Sequence, residues 1–168
     1  EMGLLAFMKE AGEKLFGKGT AQAAQQAAQA DPAPDKIEAA NVAAAQAIEA
    51  YIAQMQLNAA GLAIAFDGST GTVTVMGLAP DQETREKIVL CCGNVSGVSH
   101  VDDQMTVDTP VDESQYYMVV KGDTLTKVAR EFYGNANAYM PIFEANRPML
   151  SHPDKIYPGQ MLRIPKRD

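Results

Sequence analysis

Two polar segments that contain proline divide this chain of 168 residues into parts that must each bury apolar surface separately. Residues 18–35 form an Ala/Gln tract that ends in Asp31-Pro32-Ala33-Pro34-Asp35, and residues 109–114 read Thr-Pro-Val-Asp-Glu-Ser. Tracts of this composition do not build a core, and proline stops a helix that reaches it. We therefore predict an N-terminal segment, a linker, a first domain, a second linker and a second domain. Their predicted bounds are 1–17, 18–35, 36–109, 110–116 and 117–168.

The N-terminal segment carries an apolar stripe at helical spacing, formed by Leu4, Phe7, Met8, Ala11 and Leu15. This pattern predicts a short amphipathic helix over residues 3–17. The segment lacks a basic start followed by a long apolar run, so we do not expect a secretory leader.

The first domain alternates between helical and strand patterns. Asp35 with Glu38 three residues later is typical of a helix start, and Pro80-Asp81 opens a second helix. The predicted order is helix, strand, strand, helix, strand, at residues 35–58, 62–66, 72–76, 82–93 and 98–107. The buried face of the first helix is predicted to consist of Val42, Ala45, Ile48, Ile52 and Met55.

The second domain begins with a predicted strand at 117–120. Thr124 can cap a helix that Gly134 ends, and this helix carries Leu125, Val128, Ala129, Phe132 and Tyr133 on one face. A second helix at about 138–146 and a strand at 161–164 complete a βααβ unit. The predicted fold class is α+β, with an αββαβ domain and a βααβ domain preceded by the short N-terminal helix.

Composition narrows the compartment and the partners. The formal net charge is −7 and the sequence has no basic stripe, which argues against a nucleic-acid partner. No apolar run approaches the ~20 residues of a membrane span. The two cysteines, Cys91 and Cys92, are adjacent, so they predict free thiols in a reducing compartment, at least one of them buried. Together these features predict a cytoplasmic protein.

The residues that could carry chemistry form no catalytic set. His100 and His152 are the only histidines and fall in different domains, away from any nucleophile-like turn. Adjacent cysteines lack the spacing of a zinc site. Asp102 and Asp103 are neighbours in a predicted strand, so their side chains point to opposite faces and cannot grip one cation together. We predict that the chain is not an enzyme.

The second domain resembles the LysM family along its whole length. The matching motifs are Tyr117-Met118-Val119-Val120-Lys121-Gly122-Asp123-Thr124-Leu125, Phe132-Tyr133-Gly134, Glu144-Ala145-Asn146 and Ile156-Tyr157-Pro158-Gly159-Gln160-Met161-Leu162-Arg163-Ile164-Pro165. Residues 36–109 resemble a BON domain through the hairpin, Lys87-Ile88, residues 93–98 and Val101-Asp102-Asp103. The combination, after an N-terminus reading Met2-Gly3-Leu4, resembles a family of small bacterial cytoplasmic potassium-binding proteins.

The resemblance implies a monomeric protein that senses or buffers K⁺. It would bind K⁺, with Rb⁺ or Cs⁺ able to replace it, through backbone carbonyls. K⁺ is weakly hydrated, and carbonyl dipoles can replace its water. Helix ends and glycine turns present such carbonyls, and residues 93–98 follow a predicted helix end. Matched residue by residue, the implied carbonyls are those of Met8, Ala11, Gly93, Val95 and Val98. From the residues alone, Gly93 and Gly97 are better explained as a helix cap and a tight turn, because helices very commonly end in glycine.

A different function is implied by the LysM resemblance taken alone, namely binding of N-acetylglucosamine polymers in a shallow groove. The groove residues would be Gly122, Asp123, Thr124, Leu125, Ile156, Tyr157, Pro158 and Gly159. Asp123 and Thr124 are equally explained as helix-capping residues. A cytoplasmic chain does not meet assembled cell wall, which argues against this alternative, and a protein partner for the LysM domain stays open.

Overall fold

The computed structural model describes residues 3–6, 34–95, 97–108 and 114–166. The first domain contains β1 (Gly3–Ala6), α1 (Pro34–Gln54), β2 (Ala60–Asp67), β3 (Thr72–Ala79), α2 (Gln82–Gly93) and β4 (His100–Val107). The second contains β5 (Gln115–Met118), α3 (Leu125–Tyr133), a 3-10 turn (Ala136–Ala138), α4 (Tyr139–Ala145) and β6 (Met161–Ile164). The α+β class and the orders αββαβ and βααβ are confirmed.

The sheet of the first domain has the order β1-β4-β3-β2. β2 and β3 form the predicted antiparallel hairpin, whereas β3 and β4 run parallel because α2 crosses between them. A register shift lies between Ala60 and Ala63, opposite Gly77. A side chain at Gly77 would come within 3.2 Å of the carbonyl oxygen of Ala60, so glycine fits the close approach of the two strands there.

The predicted N-terminal helix is wrong over residues 3–6. These residues form β1, which pairs antiparallel with β4 and extends the sheet by one strand. An edge strand gains main-chain hydrogen bonds from a partner about a hundred residues away, and a local helical pattern carries no information about that partner. The rest of the predicted helix, including Met8 and Ala11, lies outside the described residues.

Helix α1 covers the sheet, with Ala44, Ala45, Ile48, Tyr51 and Ile52 buried. The sequence predicted three of the face positions correctly: Ala45 and Ile48 and Ile52 are buried, and Met55 is partly buried. Val42 is wrong, since it is 48% exposed, and Tyr51 was missed. The helix begins at Pro34, so Asp35 lies in its first turn rather than capping it.

Helix α2 lies between the sheet and the second domain, contacting β3, β4, α1 and β6. Asp81 caps it by accepting a hydrogen bond from the Thr84 amide at 2.7 Å, as its sequence position predicted. The helix is buried along most of its length, including the polar residues Gln82, Arg85 and Glu86. A helix buried on opposite sides must find partners for such groups in both neighbours.

The second domain has a core of its own, built around Leu125, Val128, Ile142, Leu162 and Ile164. Thr124 caps α3 through the Lys127 amide, and Gly134 ends it in the left-handed conformation, both as predicted. Met161 instead joins the core of the first domain. Within the described part of the chain, no helix has the length and apolar character that crossing a membrane requires.

Candidate ion site and the boundary between the domains

The turn of residues 93–98 connects the end of α2 to β4. The Asn94 amide donates to the carbonyl oxygen of Leu90 at 3.0 Å, and the Val98 amide donates to that of Val95 at 3.1 Å. The side chains of Val95 and Val98 are fully buried. Gly97 has φ 98°, in the left-handed region that favours glycine. The turn is therefore compact and anchored by its valines, with its predicted ligand residues Gly93, Val95 and Val98 close together in the chain.

The end of this turn is fixed to the hairpin between β2 and β3. The amides of Ser99 and His100 both donate to the carbonyl oxygen of Gly71, at 2.7 and 3.2 Å. Gly71 itself closes the hairpin turn with φ 70°. Two donors on one carbonyl hold the start of β4 in place, so the 93–98 turn has a defined position at this end of the sheet.

The N-terminal strand reaches the same end of the sheet. β1 runs antiparallel to β4 in a register that places Gly3 opposite Asp103 and Ala6 opposite His100. The Ala6 end of β1 therefore lies beside the start of β4, the strand that follows the 93–98 turn. Met8 and Ala11, the other predicted ligands, follow Ala6 by two and five positions but lie outside the described residues.

Asp102 and Asp103 point to opposite faces of the sheet, as alternation predicted. Asp102 accepts from the Gln104 side chain, on the solvent side, at 2.9 Å. Asp103 faces α2, where Arg85 Nε donates to it at 2.9 Å. Burial raises the pKa of Asp103, while hydrogen bonds from the Met105 amide and from Arg85 act to lower it.

The thiols of Cys91 and Cys92 lie in the core at the end of α2, both fully buried and both free. Burial raises the pKa of Cys91 to about 12 and lifts the pKa of Cys92 well above its ordinary range. Both are therefore protonated at neutral pH, which suits apolar packing and not metal ligation. Among the described residues, no group of three or more His, Cys, Asp or Glu could hold a metal ion.

Asn94 connects the turn to the second domain. Its side-chain amide donates to the carbonyl oxygen of Met161 at 3.3 Å, and its side-chain oxygen accepts from the Met161 amide at 3.1 Å. This role is not predictable from the sequence, because the two residues are 67 positions apart and no local signal marks the pair. For a buried asparagine beside a glycine, the sequence predicts only that the side chain has hydrogen-bond partners, and not which residues they are.

A buried ion pair forms the second polar link between the domains. Arg163 Nε donates to Glu86 Oε1 at 2.5 Å, and the same guanidinium group donates to the carbonyl oxygen of Ala145. Glu86 also accepts from the Gln82 side chain at 2.8 Å and from the Ser114 amide at 3.0 Å. Burial alone would raise the pKa of Glu86, but these donors together hold it below its ordinary value.

The residues of the predicted glycan groove are partly engaged in the fold. Asp123 accepts from the Val120 amide at 2.9 Å and from the Tyr117 hydroxyl, and Thr124 caps α3. On the other loop, the Tyr157 hydroxyl is buried, and among the described residues it has no hydrogen-bond partner. Burial raises the pKa of Tyr157 to about 12. Gly122, on the first loop, is exposed.

Comparison with known proteins agrees with this two-domain arrangement. The sequence profile of the BON domain matches residues 41–109, and that of the LysM domain matches residues 117–165. The chain is therefore a BON–LysM protein.

Two relatives were found among curated proteins. "Potassium binding protein Kbp" of Escherichia coli O6:H1 (strain CFT073) is 42% identical over 165 residues, which cover 98% of this chain and 99% of the relative. An uncharacterized protein of Deinococcus radiodurans is 47% identical over 49 residues, or 29% of this chain and 19% of its own length. Because the first match covers nearly the full length of both proteins, this chain belongs to the BON–LysM family that includes Kbp.

Proposed function

We propose that this chain is a K⁺-binding protein of the cytoplasm, and that it acts by binding rather than by catalysis. The proposed ligands are backbone carbonyl oxygens of Met8, Ala11, Gly93, Val95 and Val98, and Rb⁺ or Cs⁺ can take the place of K⁺. The relative named for potassium binding is 42% identical to this chain over 98% of its length, which supports the same ligand here.

The observation that carries the proposal is the register of β1 on β4. Ala6, the last residue of β1, lies opposite His100, which follows Val98 by two positions. An extended chain spans at most about 3.5 Å per residue, so Met8 lies within about 7 Å of Ala6. The two stretches that supply the proposed ligands therefore begin from the same end of the sheet.

The hydrogen bonds of the turn are compatible with ion binding. The Val95 carbonyl accepts from the Val98 amide, and a carbonyl oxygen has two lone pairs, so one bond leaves capacity for a cation. Compact turns also hold their carbonyl dipoles in place before the ion arrives, which lowers the cost of ordering the site. A cage of this kind selects ions by its size and by the number of its dipoles.

The test is a series of thermal unfolding curves in the chlorides of Li⁺, Na⁺, K⁺, Rb⁺ and Cs⁺ at fixed ionic strength. We expect K⁺, Rb⁺ and Cs⁺ to raise the melting temperature above its value in Na⁺ and Li⁺. An ion at about 100 times its dissociation constant adds about 2.7 kcal/mol of stability. Equal melting temperatures in KCl and NaCl would contradict the proposal.

Glycan binding by the LysM domain is less well supported by the structure. Asp123 already accepts hydrogen bonds within its own domain, and the Tyr157 hydroxyl is buried. Incubation with purified cell-wall sacculi, followed by sedimentation, would detect this alternative directly.

A further inference from the structure

Two asparagine side chains form hydrogen bonds with the edge of strand β6 that does not pair with β5. β6 pairs with β5 on one side, and within the described residues no strand pairs with it on the other. There, Asn94 bonds both the amide and the carbonyl of Met161, and Asn146 bonds both the amide and the carbonyl of Arg163. Each carboxamide thus replaces one peptide unit of a neighbouring strand, and both are almost completely buried, at 5% and 2% exposed.

The two asparagines differ in the domain that supplies them. Asn146 follows α4 in the LysM domain, so its link to Arg163 stays within that domain. Asn94 belongs to the BON domain and stands between Gly93 and Val95, two of the proposed ligand residues. Rotation about φ of Asn94 turns the Gly93 carbonyl, and rotation about its ψ turns the peptide unit that leads to Val95. Fixing the Asn94 side chain on β6 therefore restricts the direction in which these groups point.

We propose that Asn94 is a positioning residue for the ion site, and that it couples occupancy of the 93–98 turn to docking of the LysM domain. This inference rests on the proposed function. The coupling is reciprocal: whatever factor docking adds to ion affinity, the ion adds to docking. The route is a single side chain whose two hydrogen bonds reach Met161 while its backbone lies in the turn.

The first measurement uses the wild-type chain and needs no variant. Amide hydrogen exchange is followed by NMR in KCl and in NaCl at equal ionic strength. The Met161 amide, which donates to Asn94, should exchange more slowly in KCl by about tenfold, within the usual range of coupling between sites. The Arg163 amide, which donates to Asn146, is the matched internal control, and its K⁺ response should be clearly smaller.

The second measurement compares Asn94→Ala with Glu86→Gln. Both remove a link between the domains, but Glu86 lies in α2, away from the turn. Each variant should melt at a lower temperature than the wild type in NaCl. The decisive quantity is the difference in melting temperature between KCl and NaCl, which should be retained in Glu86→Gln and lost in Asn94→Ala. A purely structural asparagine would lower both melting temperatures equally and leave the difference intact.

The outcomes separate the inference from the proposed function. If K⁺ stabilises the wild type but Met161 exchange does not respond, or if Asn94→Ala keeps the K⁺ increment, the coupling through Asn94 is wrong and K⁺ binding stands. If the wild type shows no difference between KCl and NaCl, the proposed function and the inference are both overturned. If Asn94→Ala does not fold, the exchange of Met161 against Arg163 in the wild type still decides the matter.

Discussion

Arg163 of the LysM domain donates a hydrogen bond at 2.5 Å to Glu86 of the BON domain, and the two side chains are 9% and 4% exposed. Removing one partner of a buried pair leaves an uncompensated charge, which costs about 3 kcal/mol or more. Helix α2 and strand β6 are therefore held together by a contact that depends on ionisation as well as on shape.

Glu86→Gln should reduce stability in a pH-dependent way. The pKa of Glu86 is lowered in the folded chain, so its contribution is present above the ordinary glutamate pKa of about 4.3 and is lost as pH falls through the lowered value. Urea unfolding at pH 7 should show that the variant's free energy of unfolding is lower than that of the wild type by about 3 kcal/mol. The difference between the two proteins should become smaller below about pH 4. A gap of constant size from pH 7 to pH 3 would show that the ionised carboxylate is not what stabilises the interface. Asp81 and Asp123 also have lowered pKa values, so the Glu86→Gln variant should still lose some stability as the pH falls.

Deleting residues 1–6 should weaken the K⁺ response although Met8 and Ala11 remain in the chain. The deletion removes β1 and with it the pairing that holds Ala6 beside the start of β4, so ion affinity should fall by about tenfold or more. Thermal shift in KCl against NaCl measures the effect. Replacing residues 3–6 by four valines is the control, since valine keeps the main-chain donors and favours strands. An unchanged K⁺ increment in the deletion would mean that β1 has no part in the site.

Asp102→Asn and Asp103→Asn should each keep the preference for K⁺ over Na⁺. If carbonyls bind the ion, these carboxylates act only through the general field, and Asp103 is engaged by Arg85. Asp103→Asn should nevertheless lower stability in both salts, because it removes the negative charge to which the buried Arg85 Nε donates. Asp102 lies on the solvent side of the sheet, so Asp102→Asn should lower stability less than Asp103→Asn does. Loss of the K⁺ preference in either variant would identify a carboxylate as a direct ligand.

Tyr157→Phe should leave the protein as stable as the wild type or more stable, by up to about 1 kcal/mol. The hydroxyl is buried with no hydrogen-bond partner among the described residues, so its removal takes away a desolvated polar group without breaking a bond. Urea unfolding at neutral pH gives the comparison. Tyr117→Phe is the matched control, because that hydroxyl donates to Asp123 and its removal should destabilise. A clear loss of stability in Tyr157→Phe would show that the hydroxyl is hydrogen-bonded, for example to buried water.

The elements that sequence predicted well are those with local signals. Asp81, Thr124 and Gly134 mark helix ends through bonds to residues within one turn, and the structure places each in that role. The helix predicted from the N-terminal apolar stripe is wrong over residues 3–6, because pairing with β4 outweighed the local helical pattern. Val42 was expected in the core because it follows the helical period, but the period does not fix where the buried face ends.

The candidate site was predictable only in part, for the same reason. A helix end followed by glycines indicates available carbonyls, so the 93–98 turn could be proposed from the sequence and from the family it resembles. The links from Asn94 to Met161 and from Glu86 to Arg163 span 67 and 77 positions. Pairs at such distances are set by how the domains meet, which no pattern within either domain encodes.

The sharing of the β6 edge between Asn94 and Asn146 limits how freely such modules can be exchanged between proteins. A LysM domain moved to a new host would bring the residue equivalent to Asn146 with it, but the host would have to supply the other carboxamide. Without it, one amide and one carbonyl of the strand would have to face water or a different acceptor. Grafting experiments with this domain should therefore succeed best when helix α2 and the residue after it are transferred together with the LysM domain.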